Sequence, residues 1–172
     1  MIKPLAAGLD YVDLQFLGKP EIIATAILHG SGRVALIDPG PSTTLEALRG
    51  ALKHKGISFA DVRQLLLTHI HLDHAGASGS IVRENPSIEV LVHHIGAPHM
   101  ADPSKLWAGT EAVYGKRRAR EIYGRLRPVP EARIRVAGDG ARRSPGGGRG
   151  EAHRVLVRQR QALGGEGAAR LV

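Results

Sequence analysis

Residues 68–76 read Thr-His-Ile-His-Leu-Asp-His-Ala-Gly, and this segment decides how the rest of the chain is interpreted. It follows the apolar run Leu65-Leu66-Leu67, which is typical of a buried strand. In an extended segment, residues i and i+2 point the same way and lie about 6.6 Å apart, so His69 and His71 can converge on one cation. The spacing therefore predicts a metal site beyond the end of a strand.

Two further metal-ligating side chains follow within three residues of His71. If the chain turns into a helix at Ala75, Asp73 and His74 are aimed differently from the first pair and can hold a second cation beside the first. Such a segment is therefore expected to hold two metal ions that share a bound water. The alternatives are surface histidines clustered by chance and a single structural metal ion.

The pattern His-x-His-x-Asp-His after a buried strand resembles the signature of the metallo-β-lactamase-fold hydrolases. The flanking Thr68 and the Ala75-Gly76 pair resemble the glyoxalase II-like branch of that family. The resemblance implies ligand roles in two metal sites. The implied ligands are His69 and His71 for the first metal, and Asp73 and His74 for the second.

Residues 36–40 read Leu-Ile-Asp-Pro-Gly and resemble the first motif of the same family. The aspartate of that motif, Asp38 here, would lie close to residues 68–76, which we call the metal loop. It would orient the metal ligands by hydrogen bonding to them, with Thr68 in a similar supporting role. The alternative is an ordinary turn aspartate before proline. His93, His94 and His99 are expected to be loop residues at the rim, because the family draws no ligand from that strand.

The reaction implied by the resemblance is hydrolysis with a metal-activated water. Asp73 is the expected catalytic residue, because it would bind metal and orient the attacking hydroxide. Zinc is the expected cofactor, as one or two ions, with iron or manganese as alternatives. The expected substrate is a small molecule, such as an anionic thioester or a related ester. The alternatives are a catalytically impaired metal-binding remnant of the fold and a nucleic-acid-processing member of it.

Length and composition limit the remaining possibilities. A chain of 172 residues is long enough for one domain with a sizeable core. There is no cysteine, so a metal must be held by His, Asp or Glu. The first eight residues lack the apolar stretch of a signal peptide, and no run is apolar enough for a membrane helix. These features predict a cytoplasmic protein without a membrane partner.

The net charge of +8 invites a nucleic-acid interpretation, but its distribution argues against one. Half of the excess lies in residues 137–172, which carry 7 Arg and 3 acids. The basic run 116–121 is expected to be a solvated helix face, and the alternative is a rim that attracts an anionic substrate. With aromatic residues at only 3% of the chain, the stacking surface of a single-strand binder is missing. A nucleic-acid partner is therefore not expected.

Hydrophobic patterns and turn residues predict an α+β fold, a four-layer αβ/βα sandwich of the metallo-β-lactamase type with an incomplete second half. The Ser/Thr-x-x-Glu pattern from Thr43 to Glu46 predicts a capping box. The helix that it starts is expected to run to about residue 55. Two further helices are expected over 75–83 and, with Asp102 and Thr110 as caps, from about 102 to 125. The expected strands are 9–17, 21–28, 33–37, 64–67, 88–92 and 133–136.

Residues 1–140 are expected to form the N-terminal part of this domain, and 141–172 a Gly- and Arg-rich, poorly ordered tail. The resemblance stops near Gly140, before the family's further His, bridging Asp and last His. Asp139 and His153 do not match those positions in context, so neither is assigned a ligand role.

We predict that the coding DNA past Gly140 holds the native continuation in a neighbouring reading frame. The segment 152–160 can be encoded by codons that, read one nucleotide later, give His-Thr-Gly-Tyr-Ser-Ser-Gly-Ser. That lies close to the family's His-Thr-Pro-Gly-His-Ser-Ser-Gly-Ser, without its proline and second histidine. Sequencing the gene tests this. Stop codons in that frame, or no downstream Asp and His, would show that this chain is the intended product.

Overall fold

The computed structural model describes residues 2–30 and 32–137 of the chain. They contain one seven-stranded sheet whose spatial order follows the chain order. The predicted tail 141–172 and residues 138–140 of the predicted domain lie outside the described residues. The strands are β1 (Ile2–Ala6), β2 (Leu9–Asp13), β3 (Ala24–Gly30), β4 (Arg33–Ile37), β5 (Val62–Leu66), β6 (Glu89–His93) and β7 (Ile134–Ala137).

The sheet changes from antiparallel to parallel at β4. Strands β1 to β4 pair antiparallel, as short hairpin connections allow, whereas β4 to β7 pair parallel. Parallel neighbours need crossover connections, and helices supply them here. As a result, β4, β5 and β6 all end at the same edge of the sheet, where their loops meet.

The crossovers carry six helices in the described residues. Short 3-10 turns at Phe16–Gly18, Ser42–Thr44 and Glu131–Arg133 accompany them. The helices are α1 (Leu45–His54), α2 (Leu72–Ala75), α3 (Ser78–Glu84), α4 (Ala97–Ala101), α5 (Ser104–Tyr114) and α6 (Lys116–Tyr123).

The helices cover one face of the sheet. Leu48 of α1 and Ile81 of α3 join Leu36 and Leu65 of the central strands in the larger core cluster. Successive strand residues point to opposite faces. A smaller cluster therefore forms on the other face, from the buried residues Leu9, Leu28, Ala35 and Leu66.

The capping box predicted at Thr43 is wrong. Helix α1 begins at Leu45 without a side-chain cap, and the Thr43 hydroxyl instead donates to the carbonyl of Ile122. The carbonyl is 79 residues away in the chain, so a tertiary contact has replaced the local one. The C-terminal end is close to the prediction, since the helix stops at His54 and Gly56 follows at φ +69°.

The other helix boundaries also differ from the predictions. The helix expected over 75–83 is two helices, and the first, α2, already begins at Leu72. The helix expected over 102–125 is broken at Gly115, whose φ of +75° no regular helix accommodates. Thr110 is therefore an interior residue of α5 rather than a cap, and its hydroxyl donates to the carbonyl of Leu106.

Strand β1 and helix α4 were not predicted. His93 ends strand β6 and His99 lies in α4, so of the three histidines expected in loops only His94 is in a turn. Of the four layers expected, the described residues form one sheet and one helical layer. Within residues 2–30 and 32–137, no helix combines the length and apolar character needed to cross a membrane.

Replacing Leu36 by alanine should destabilise the protein by about 2–5 kcal/mol, because it leaves a cavity in the middle of the sheet. Leu36 is 0% exposed. Leu5→Ala is the matched control, since Leu5 is 60% exposed and should lose less than about 0.5 kcal/mol. Urea unfolding followed by circular dichroism measures both. Equal losses in the two variants would contradict this assignment of the core.

Candidate metal centre

The histidine-rich segment lies at the edge where the parallel strands end. Strand β5 stops at Leu66, and the Leu67 amide still donates to the carbonyl of Leu91 in the neighbouring strand, at 2.9 Å. The chain then bends at Thr68, continues without regular secondary structure to His71, and enters α2. Asp38 follows the adjacent strand β4 at the same edge. This edge is where open sheets with parallel strands place their ligands.

Two overlapping groups of side chains at this edge could hold a metal ion. In one group, single donor atoms of His69, His71 and Asp73 all lie within 4.8 Å of one another. In the other, donor atoms of Asp38, His69 and His74 meet the same limit. The rings of His69 and His71 are 4.7 Å apart between centroids, and those of His69 and His74 are 4.0 Å apart.

The donor set fits a divalent transition metal. Imidazole nitrogen and carboxylate oxygen are ligands for zinc, iron and manganese, and none of these needs the thiolate that the chain lacks. Ligands at about 2.0–2.2 Å from one ion lie at most about 4 Å apart. Small side-chain movements therefore suffice to bring the observed groups into coordination. His71 is exposed, and Asp73 and His74 are half-buried, so the site is open to solvent.

Asp38 organises this site through its carboxylate. One oxygen accepts a hydrogen bond from the Thr68 amide at 2.8 Å. The other accepts one from the Thr68 hydroxyl and lies 3.1 Å from Nδ1 of His74. The Thr68 hydroxyl also lies 3.0 Å from Nδ1 of His69. Asp38 therefore holds the start of the loop and one imidazole at once, which is the arrangement that fixes ligand orientation in metal sites.

The backbone of Asp38 is held as firmly as its side chain. The residue is 8% exposed and adopts a φ of +51°, which is uncommon for a residue other than glycine. Its amide donates to the carbonyl of Leu66 at 3.1 Å, and its carbonyl accepts from the buried Thr25 hydroxyl at 2.9 Å. Strained backbone of this kind persists where the surrounding structure over-determines it, and it clusters at functional sites.

Two glycines let the loop after Asp38 approach the metal loop. The Gly40 amide donates to the carbonyl of His74 at 2.9 Å. A Cβ at Gly40 would lie 2.2 Å from Leu14 Cδ1, and one at Gly76 would lie 3.2 Å from the Cα of Pro41. A larger residue at Gly76 would crowd the loop after Asp38, and one at Gly40 would clash with Leu14.

The electrostatics of the site follow from these contacts. Hydrogen bonds to the carboxylates of Asp38 and Asp73 raise the pKa of His74 to about 9. The hydrogen bond with His74 in turn lowers the pKa of Asp73. Burial lowers the pKa of His69, and the positive charge of His74 adds to this effect. His69 is therefore neutral at pH 7, the form in which imidazole binds metal.

All six residues singled out from the sequence meet at this edge. They are Asp38, Thr68, His69, His71, Asp73 and His74. His69 belongs to both observed groups. The resemblance implies that Asp73 pairs with His74, whereas in the structure Asp73 groups with His69 and His71. Asp73 and His74 are adjacent on α2 and contact each other, with 3.3 Å between Asp73 Oδ2 and His74 Nε2, so the two groups overlap.

The basic run on α6 has the exposure expected of a solvated face. Arg117 and Arg118 both lie close to Glu121, at 3.5 and 3.6 Å between charged atoms. The Arg117 side chain is 91% exposed. Surface pairs of this kind contribute little free energy.

Two supporting residues were missed by the sequence interpretation. Thr25 binds the carbonyl of Asp38, and the Ser42 hydroxyl lies between the carbonyls of Gly76 and Arg125, at 3.0 and 2.9 Å. No local pattern marks either residue, because their partners are distant in the chain.

Comparison with known proteins relates the chain to one family. A family profile described as the metallo-beta-lactamase superfamily matches residues 19–157. A curated relative, the probable metallo-hydrolase YqjP of Bacillus subtilis (strain 168), is 36% identical over 70 residues. That match covers 40% of this chain and 21% of the relative.

Solved structures of similar fold include two metallo-beta-lactamases. A HARLDQ-motif mutant from Cronobacter sakazakii has a TM-score of 0.60 and 23% identity, covering 86% of this chain and 51% of that one. The subclass B3 enzyme BJP-1 of Bradyrhizobium japonicum has a TM-score of 0.61 and 19% identity, covering 84% and 48%. The predicted fold class is thereby confirmed, and the chain spans about half the length of these structures.

In protein stripped of metal by a chelator, His74 should titrate with a midpoint near pH 9. Protonated His74 then stabilises the fold fully below its unfolded pKa of about 6.5, and this contribution is lost as the pH rises to about 9. Asp38→Asn removes a charged partner and should lower the midpoint. The imidazole proton shifts in NMR spectra report it. An unchanged midpoint in Asp38→Asn would contradict the assigned contact.

Proposed function

The chain belongs to the metallo-beta-lactamase superfamily, and from that premise we propose that it is a metal-dependent hydrolase. We assign metal binding to the four residues of the histidine-rich segment. They are His69, His71, Asp73 and His74. The resemblance drawn from residues 68–76 is confirmed at the level of the superfamily. The glyoxalase II-like branch stays a prediction.

One observation carries the proposal. Donor atoms of His69, His71 and Asp73 lie within 4.8 Å of one another on a solvent-accessible edge of the sheet. A chance cluster of surface histidines would not require a buried hydrogen-bond partner. Here the buried carboxylate of Asp38 binds both the Thr68 amide and the His74 imidazole. This supports a metal site rather than a solvated surface cluster.

A bound divalent cation would supply an activated water and polarise the scissile carbonyl. Asp73 is half-buried and its lowered pKa keeps it ionised at pH 7, so its carboxylate can bind metal and accept a hydrogen bond from the attacking water. His69 is held by the Thr68 hydroxyl at Nδ1, which leaves Nε2 for a ligand. Asp38 positions these groups and stays behind them.

We propose zinc as the metal, as one or two ions, with iron and manganese as the alternatives. The proposed substrate is a small thioester or a related ester, including anionic ones. The loop edge is open to solvent, which suits a small molecule that enters and leaves freely. The basic run 116–121 of α6 contains no aromatic residue to interleave with its charges, so a single-stranded nucleic acid is not the proposed partner.

A catalytically impaired, metal-binding form of the fold is the second candidate. The chain spans about half the length of the solved structures it resembles. The residues assigned here lie within six positions of one loop, and the resemblance implies further ligands from the second half of the fold. Metal binding and hydrolysis therefore need separate measurements.

The double variant His69→Ala/His71→Ala should bind metal more than about a hundredfold more weakly than the wild type. Residues that merely orient ligands are already worth roughly 10–100-fold, and this variant removes two ligands outright. Competition with a chromophoric chelator measures the affinity, and elemental analysis the stoichiometry. His94→Ala is the matched control, because His94 is exposed and belongs to neither metal-binding group.

Equal metal content in the wild type and the double variant would refute the metal centre. Small thioesters, esters and phosphodiesters are then assayed with the metal-loaded wild type and with Asp73→Asn. Thioester hydrolysis that Asp73→Asn abolishes supports the proposed enzyme. Metal binding without hydrolysis supports the impaired form, and steeply salt-dependent binding of single-stranded nucleic acid would favour the nucleic-acid-processing alternative.

A further inference from the structure

Three aromatic side chains gather beside the metal loop. The ring of Tyr123 lies 6.4 Å from that of Phe16 and 5.9 Å from that of Tyr114, measured between centroids. These are distances at which aromatic rings attract one another. Phe16 comes from the β2–β3 loop, Tyr114 ends α5 and Tyr123 ends α6. We call these three residues the aromatic wall.

The wall is fastened to the loops that form the metal centre. The Thr43 hydroxyl donates to the carbonyl of Ile122 at 2.8 Å, which fixes the residue before Tyr123. The hydroxyl of Ser42 bridges the carbonyls of Gly76 and Arg125. These hydrogen bonds connect the chain at the end of α6 to Gly76, which lies two residues after His74 and just before α3.

The negative charge of Asp73 affects the pKa of Tyr123 in the aromatic wall. Burial and the neighbouring Tyr114 raise the pKa of Tyr123 to about 12, and the negative charge of Asp73 adds to this effect. Tyr123 is only partly buried, so its ring is accessible from the side of the loop. The wall therefore lies within electrostatic range of the residue assigned to catalysis.

The β2–β3 loop is held in a strained conformation that exposes apolar side chains. Gln15 and Leu17, on either side of Phe16, have φ values of +50° and +54°. The carboxylate of Asp13 accepts hydrogen bonds from the amides of Gln15 and Glu21, both at 2.9 Å, and so shapes the loop. Leu17 remains 53% exposed. Strained backbone of this kind clusters at ligand-binding segments.

The opposite side of the wall is just as poorly buried. Helix α5 buries none of its residues, and Tyr114 is 46% exposed. A cavity of about 310 Å³ is lined by Gln15 and Leu17, the chain neighbours of Phe16, and by Glu121, two residues before Tyr123, with Leu14, Thr44 and Ala47 among the others. This volume is at the lower end of the range for small-molecule sites. Exposed apolar groups beside a polar centre indicate a binding surface rather than a core.

We propose that the aromatic wall and the adjoining cavity bind the apolar acyl part of the substrate, which makes Tyr114 and Tyr123 specificity-determining residues. This inference rests on the proposed hydrolase function. The substrate class is a thioester or ester with a medium-length alkyl or a ring-bearing acyl group. The scissile carbonyl lies over the metal loop, and the acyl group lies along the rings.

The experiment compares two metal-chelating ligands that differ only in chain length. Acetohydroxamate and octanohydroxamate are titrated by calorimetry into the zinc-loaded full chain, so the readout does not depend on turnover. Each buried methylene strengthens binding by roughly fourfold. Octanohydroxamate should therefore bind about fifty-fold more tightly than acetohydroxamate if roughly half of its extra methylenes are buried.

Tyr123→Ala and Tyr114→Ala should each reduce this ratio to less than about tenfold, because they weaken octanohydroxamate binding more than acetohydroxamate binding. Tyr114→Ala keeps the test valid if Tyr123→Ala folds poorly, because Tyr114 is the more exposed of the two. Tyr11→Ala is the control, since Tyr11 lies on β2 in the sheet. The control should keep the wild-type ratio.

The outcomes separate this inference from the function it rests on. A chain-length ratio that is near one in the wild type, or unchanged in both variants, overturns the aromatic wall while metal binding still supports the hydrolase. Zinc binding without binding of either hydroxamate overturns the wall as well. Failure to bind zinc overturns both proposals, and the metal titration reports it before any hydroxamate is added.

Discussion

A buried carboxylate requires hydrogen-bond donors for its oxygens. In this protein that requirement connects the loop after β4 to the loop after β5. Asp38 is 8% exposed, and its oxygens bind the Thr68 amide, the Thr68 hydroxyl and the His74 imidazole. An unpaired carboxylate in this position would cost several kcal/mol, so the contacts cannot be lost one at a time without penalty. The orientation of the metal loop therefore depends on a residue that is 30 positions away from it in the chain.

The same edge of the sheet explains why the other elements gather around Asp38. Strands β4 and β5 are parallel neighbours, so the segments that follow them emerge side by side. The approach is close at Gly76, where a Cβ would lie 3.2 Å from the Cα of Pro41. The end of α6 then binds both segments through the hydroxyls of Ser42 and Thr43. The candidate metal-binding residues and the aromatic wall are therefore connected through the hydroxyls of Ser42 and Thr43.

Predictions that rest on local chemistry agree with the structure, and those that need tertiary context fail. The consecutive antiparallel strands follow from a period of two in the sequence. The donor atoms of His69 and His71 come together as their spacing predicts, although the chain bends at Thr68 just before them. The capping box at Thr43 fails because a distant carbonyl takes the hydroxyl, and the helix break at Gly115 was overlooked in a run of good helix formers. Thr25 could not have been found from sequence, because its role is a contact with the backbone of Asp38.

The residues proposed to bind metal lie close together in the chain. His69, His71, Asp73 and His74 lie on one strand-loop-helix segment, and their supports, Asp38 and Thr68, lie in the same sheet edge. The proposed metal affinity therefore depends mainly on this segment and on Asp38. Hydrolysis requires a more precise geometry than metal binding does, because the catalytic groups must lie within about 0.5 Å of their productive positions. A ligand supplied from outside this segment would matter more for turnover than for binding. Metal affinity and catalytic rate are thus separable properties of this fold, and the first requires less of the chain than the second.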